Sequence, residues 1–336
     1  MEIRKLQRTG GASLTLTLPK KWTERFGLKE KDSVRLHMQK SGTLTVEPRD
    51  MRDKSPISRI HIGSLSDEML LREVIAHYVS GVDEIHIEAP EITGHQRNTI
   101  RNIAKTLVGF EIVDEAGNVV VLKNILDVSK FPVPQNVEKI FAATFSMVED
   151  ALKAIADGDK RLAGDVIERD AEIDKWQLAI TRRTYSLMYN HLTEEEVGLA
   201  LHELHYYERV AIQLERIADH AVKIVRVVEA SNQKPQHILT PSDFKKETNL
   251  ILDLLTDTKR MVDSLDKDLA HAILNRTADN KGPEYLVGLI QQKKDSAVIL
   301  IEDSIDRWMG YIMNIAERTI DEIIALENYT ETTSEK

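Results

Sequence analysis

The sequence predicts a multi-domain chain: a small β head, a small α/β module and a large all-α body. Three observations predict it. Strict alternation of apolar and polar residues marks the head. Strand-like and helix-like stretches then alternate over 56–130. From 136 to about 328, apolar residues recur at helical spacing.

The head, residues 1–50, reads as short strands. "EIRKLQ" is one. "SLTLTL" is a second, with Leu14, Leu16 and Leu18 on one face and Ser13, Thr15 and Thr17 on the other. Pro19 ends it. "KKWTERFGL" fits one or two helical turns closed by Gly27. "DSVRLHMQ" and "TLTVEP" pair across "KSG" as a hairpin. A segment this short buries little core alone. It therefore calls for a second copy of itself or for the body of the chain.

Residues 56–130 alternate strand and helix. "RIHIGS" is a strand and "SDEMLLREVIAHYVSG" a helix opened by Ser66 or its neighbour. "EIHIEAP" is a strand, "TGHQRNTIRNIAKTLVG" a helix, and "FEIVDEAGNVVVLKNI" a hairpin around Ala116-Gly117-Asn118. "KFPVPQ" then reads as a linker, because two prolines break both helix and ladder.

Long helices follow, with breaks expected near 158, 191–197, 231–242 and 279–284. Leu204, Tyr207, Ala211, Leu214, Ala218, Ala221, Val225 and Val228 form a seam of alternating three- and four-residue steps. A looser seam runs through Leu162, Val166, Ile173, Trp176, Ile180 and Leu187. "LERIADHAVKI" and "IEDSIDRWMGYI" each place Glu and Asp four apart at the end of a long helical region. Two three-helix units in tandem, about 136–230 and 243–328, are the economical model.

Composition narrows the function. The chain has 336 residues, no cysteine and a net charge of −10. Disulfides and thiolate metal sites are thereby excluded. The N-terminus has no apolar signal region and the apolar runs are too short to span a bilayer, so a cytoplasmic protein without membrane insertion is expected. The charge is uneven. Residues 1–60 hold 14 Lys and Arg against 7 Asp and Glu, a net of +7, on an acidic remainder. "HELH" at 202–205 is HxxH rather than the HExxH of zinc hydrolases, and "HIGSLS" lacks the Gly-Lys-Ser/Thr of a phosphate loop. No nucleophile elbow or catalytic carboxylate pair is legible, so an enzyme is not expected.

Two residue sets remain. Arg4, Lys5, Arg8, Lys20, Lys21 and Arg25 form a basic set on the head, suited to phosphate contacts with double-stranded DNA or simply a solvated face. On the helical body, Asp170 and Asp174 are four apart, as are Glu215 and Asp219, each pair beside a seam. Like charges at that spacing disfavour a helix. They fit either an edge that binds a hard metal ion or a solvated helix flank.

"IRKLQRTGGASLTLTLPKKWTERFGLKEKDSVRLHMQKSGTLTVEP" resembles the AbrB/SpoVT/MazE family. The matching features are the initial "RK", a glycine before the alternating strand, "LTLPKKW", "GLKEKDSV" and a closing hairpin. The resemblance implies a swapped-hairpin homodimer with basic residues of both chains facing DNA. Lys31 stands where that family usually has a second glycine.

"GDKRLAGDVIERDAEIDKWQLAI" and "YYERVAIQLERIADHAVKIV" resemble the two signature helices of the PhoU family. That resemblance implies tandem three-helix bundles, regulation of phosphate uptake and, in some members, a divalent or iron-type metal. By motif it carries metal-ligand roles to Asp170, Asp174, Glu215 and Asp219, and more weakly to Glu302 and Asp306, where "EDSIDRW" lacks the usual arginine and glycine. The combined expectation is a DNA-binding regulator of phosphate uptake whose helical body senses or docks. The alternative is an adaptor that contacts phosphate ABC transporter components while its head only dimerises it.

Overall fold

The computed structural model describes residues 2–11, 13–49, 57–63, 65–127, 131–230, 241–278, 291 and 295–334, with backbone alone at 241–245 and 329–334. The chain divides into two compact units, Met1–Ser55 and Pro56–Lys336.

The first unit holds two separate hairpins. Strands β1 (Gln7–Thr9) and β2 (Ser13–Thr15) pair antiparallel, with Arg8 opposite Leu14. Gly10 supplies the positive φ of +68° that their turn needs. The strand expected over "EIRKLQ" forms only from Gln7. Before it, the Arg4 side chain rather than a backbone ladder ties the chain down, donating to the Thr17 carbonyl at 3.1 Å and the Thr17 hydroxyl at 2.8 Å. Helix α1 (Lys20–Arg25) follows Pro19. Strands β3 (Val34–Met38) and β4 (Leu44–Pro48) form the second hairpin, in the expected register of Leu36 with Val46. Lys31 takes the left-handed conformation, φ +74°, at the position where the resemblance expects glycine.

The second unit opens with a four-stranded sheet of order β5-β6-β8-β7, from β5 (Ile57–His61), β6 (Glu84–Glu88), β7 (Phe110–Glu115) and β8 (Val119–Asn124). β5 and β6 are parallel and the other pairs antiparallel. Helices α2 (Asp67–Val79) and α3 (Gly94–Lys105) are capped by Ser66 and by a Thr93/Gln96 capping box. Leu70 and Val74 of α2 and Ile100 and Ile103 of α3 share a core with Ile60, Ile85, Ile87 and Leu122 of the sheet.

Among the described residues seven further helices follow: α4 (Val133–Asp157), α5 (Lys160–Met188), α6 (Glu194–Val197), α7 (Leu201–Ala230), α8 (Pro241–Ser264), α9 (Lys267–Thr277) and α10 (Ser296–Ser334). The expected linker "KFPVPQ" is a helix start instead, with Pro132 as N-cap and Pro134 in the first turn. Proline is tolerated there because the first N–H groups of a helix have no intrahelical acceptor. Gly158, φ +67°, ends α4, and Asp159 caps α5. A further break, at Leu265 with φ +49° followed by the Asp266 cap, separates α8 from α9. The expected breaks at 231–242 and 279–284 fall largely outside the described residues.

Helices α4, α5 and α7 form one bundle, and α8, α9 and α10 a second; α7 and α10 join them. The α7 seam is buried except at Tyr207, and Tyr206, Val210, Gln213, Ile217 and Ile224 are buried as well. α7 is thus enclosed on two sides. Across its second side, the buried Trp308 indole donates to the Ile217 carbonyl at 2.7 Å, and Asn314 donates to Gln213 at 3.1 Å.

The sheet module is fixed to α5. Arg182, 8% exposed, donates to the Tyr78 carbonyl at 2.6 Å and to Asp83 at 3.0 Å. Its guanidinium also lies 5.1 Å from the Tyr78 ring centre and 5.0 Å from that of Phe110. Gly81 completes the joint: a Cβ there would stand 2.7 Å from the Ser186 hydroxyl oxygen.

Candidate nucleic-acid surface and acidic edge

Among the described residues of the head, only Pro48 is buried. Its apolar side chains stand in solvent, from Leu14 at 61% and Leu36 at 60% to Met38 at 78%. The expected basic residues divide by role. Arg4 is engaged by Thr17 and by an ion pair with Glu2. Lys5, Arg8 and Lys21 are exposed. Lys20 makes an exposed pair with Glu24 at 3.6 Å, an interaction worth little in water. Arg25 lies 5.6 Å from the centre of the Phe26 ring.

On the helical body, α5 and α7 bring Asp170, Asp174, Glu215 and Asp219 to one edge. Burial pushes the Glu215 carboxyl up to about 7, and the charges of Asp219, Asp174 and Asp170 add to the effect against Arg216. Burial, then Asp170 and Asp219, pushes Asp174 up to about 6. Burial also raises Asp170, with Asp219 adding to it and Arg226 opposing, and burial raises Asp219. Asp170 Oδ1 is buried without a hydrogen-bond partner. Among the described residues, no three His, Asp or Glu side chains converge closely enough to hold a metal ion. The donor chemistry nonetheless suits a hard cation: four oxygen-bearing side chains repel one another, and one oxygen is orphaned.

Glu302 and Asp306 lie one turn apart on α10, with Glu302 only 5% exposed. They are not among the charges acting on the four first-repeat carboxylates. Much of "PEYLVGLIQQKKDSAVIL", which faces them in sequence, lies outside the described residues. His202 pairs with Glu322 at 2.8 Å and His205 with Glu208 at 3.4 Å, so each has its own carboxylate.

Sequence reasoning missed two features. Arg182 gave no local signal, because its partners Tyr78 and Asp83 lie about a hundred residues away along the chain. The second is a cavity of about 530 Å³ on the sheet, lined by Arg59, His61, His86 and Glu88. Here the period-2 pattern was a signal, since these four alternate with buried Ile60, Ile85 and Ile87.

Comparison with known proteins accords with the head and with the first helical repeat. The family model of the PhoU domain matches residues 137–228, and that of the antidote-toxin recognition domain MazE, a bacterial antitoxin, matches residues 7–54. The phosphate-specific transport system accessory protein PhoU homolog of Borreliella burgdorferi is 37% identical over 83 residues, 24% of this chain and 36% of its own length. The chain thus spans about a third of the length of that curated relative. The crystal structure of PhoU, the phosphate transport system regulatory protein, from Streptococcus pneumoniae superposes with a TM-score of 0.48 at 20% identity, covering 56% of this chain and 92% of the other. That of PhoU from Pseudomonas aeruginosa superposes with a TM-score of 0.49 at 19% identity, covering 59% and 98%. The chain thus carries a PhoU domain at 137–228 and a MazE/AbrB-like domain at its N-terminus.

Proposed function

We propose that this chain is a cytoplasmic, homodimeric, DNA-binding regulator of phosphate uptake. One observation carries most weight. The head matches an antitoxin-type model, carries exposed Lys5, Arg8, Lys20 and Lys21, and buries only Pro48 among its described residues. A domain that leaves Leu14, Leu36 and Met38 in water has its core elsewhere, and a second copy supplies an identical, complementary surface. Two heads related by a two-fold axis suit paired half-sites on a DNA duplex. The link to phosphate follows the Borreliella burgdorferi relative, a phosphate-specific transport system accessory protein.

The helical body acts as the sensor. Asp170, Asp174, Glu215 and Asp219 would have to draw together around a divalent or iron-type cation, whose charge offsets the burial that raises all four carboxyls and the repulsion that adds to it at Asp170, Asp174 and Glu215. Glu302 and Asp306 are the weaker, second-repeat counterparts. A ligand that prefers one arrangement of the body biases the dimer only by the difference in its affinity for the two states. Thermal unfolding at pH 8 with and without added Mn²⁺ tests this: stabilisation lost in Glu215→Ala supports the metal role, and no stabilisation of the parent chain contradicts it.

DNA binding is tested by changing Lys5, Arg8, Lys20 and Lys21 together to alanine. The slope of log affinity against log salt is expected to fall by about one for each phosphate contact removed, with the dimer intact by sedimentation. An unchanged slope would favour the adaptor role, in which the head only dimerises the chain and the body contacts phosphate transporter components. No helix among the described residues is long and apolar enough to cross a membrane, so such contacts would be made from outside the bilayer.

A further inference from the structure

The four-stranded sheet buries one face against α2 and α3 and leaves Arg59, His61, Glu111 and Lys123 exposed on the other. Parallel pairing sets Arg59 beside His86 and His61 beside Glu88, a two-by-two square of charged and polar groups. The cavity of about 530 Å³ opens over this square, with Asn118 and Val119 from the β7–β8 turn completing its wall. It lies toward the C-terminal ends of two parallel strands, where open α/β sheets commonly bind ligands, and its volume is in the range of small-ligand sites.

The square has an unequal inventory. The Arg59 guanidinium, the His61 imidazole and the Asn118 amide offer N–H donors. Among the residues lining the cavity a single carboxylate, Glu88, accepts; Arg59 is ion-paired to it, and His61 Nδ1 stands 3.5 Å from it. His86 is held by Glu84 at 2.5 Å. Such a set attracts an oxyanion, and Glu88 decides which. A fully deprotonated oxyanion such as sulfate meets Glu88 with lone pairs against lone pairs. Inorganic phosphate keeps at least one P–OH at neutral pH and donates it to the carboxylate, while its other oxygens accept from Arg59, His61 and Asn118. A phosphomonoester, with its second proton lost near pH 6, has no P–OH to donate.

We infer that the α/β module binds inorganic phosphate over the Arg59–His61–His86–Glu88 square, with Glu88 selecting the protonated oxyanion. That this occupancy gauges phosphate supply rests on the phosphate-uptake role proposed above. The module that carries this site is held through Arg182 to α5, the helix that also carries Asp170 and Asp174.

Isothermal titration of the full chain with inorganic phosphate, and separately with sulfate, tests this. Saturable phosphate binding is expected, with sulfate at least about tenfold weaker, the scale of one charge-assisted hydrogen bond. Arg59→Ala, at an exposed position, should weaken phosphate about tenfold or more. Glu88→Gln, whose amide can donate to sulfate, should bring the two anions to similar affinity. No phosphate binding at millimolar concentration, equal binding of sulfate by the parent chain, or full affinity in Arg59→Ala would each overturn the inference. DNA retention measured on the same preparations separates the two claims. DNA binding without phosphate binding sinks this site alone. Selective phosphate binding without DNA binding upholds the site and sinks the DNA-binding role.

Discussion

The head and the body of this chain handle their apolar residues in opposite ways. In the body, α7 is enclosed on both sides, and even Gln213 and Glu208 are buried. In the head, the strand residues Leu14, Leu36 and Met38 stand in solvent, and Pro48 is the sole buried residue among those described. The described part of the body has its own core. The head has the surface of half a structure. Hydrophobic burial at roughly 25 cal/mol per Å² leaves no stable role for Leu14, Leu36 and Met38 in water when an identical surface is available.

Breaking the head should therefore have the largest effect. Leu14→Asp with Leu36→Asp is expected to convert the dimer to monomer in sedimentation, to lower DNA affinity on the order of 100-fold through lost bivalency, and to leave the unfolding midpoint of the body unchanged. A dimer that survives both changes would show that the heads are not what pairs the chains.

Breaking the body takes a buried residue. Arg182→Met keeps the stem but removes the donors to Tyr78 and Asp83. It should cost roughly 1–3 kcal/mol, since the Tyr78 carbonyl keeps only its Gly81 N–H donor at 3.2 Å and the ion pair with Asp83 is lost. Denaturant unfolding reads the loss, and amide exchange should rise at the C-terminal end of α2 with no change in the head.

The acidic edge sharpens the comparison through pH. Glu215 titrates at about 7 in the folded chain, against an ordinary value of 4.5. Between these values the folded state binds more protons than the unfolded one, so stability falls as pH rises. Unfolding midpoints measured from pH 4.5 to 7.5 should decline, and Glu215→Gln should flatten the decline. A midpoint that rises over this range would contradict the crowding of Asp170, Asp174, Glu215 and Asp219.

The smallest effect is expected at Lys31, held at φ +74°. Lys31→Gly relieves a left-handed strain of about 1–2 kcal/mol but adds backbone entropy to the unfolded chain. A net gain of about 0.5 kcal/mol should appear in the unfolding of the head.

Much of this was legible in the sequence because it is local. Ser66 opens its helix as its place before an apolar run suggests, the helix of "TGHQRNTIRNIAKTLVG" follows Thr93, and the strands on either side of "KSG" pair as a hairpin. The linker reading of "KFPVPQ" failed because proline breaks a helix interior but begins one readily. The second buried side of α7 was hidden, since one seam accounts for one neighbour and α7 has neighbours on two sides. Arg182 was illegible for a related reason, and of the Arg59–His86 square only the outward face of each strand could be read, not the pairing that joins them. Which strands pair, and which helix receives them, is decided by contacts far apart in the chain.

The central claim is that the basic head reads DNA. Purified full chain should be incubated with fragments of its own genome across a salt series, and the retained fragments sequenced. Fragments upstream of phosphate-transport genes should be enriched, with retention falling steeply as salt rises. Retention no greater than background at low salt would contradict the claim and leave the head as a pairing device alone.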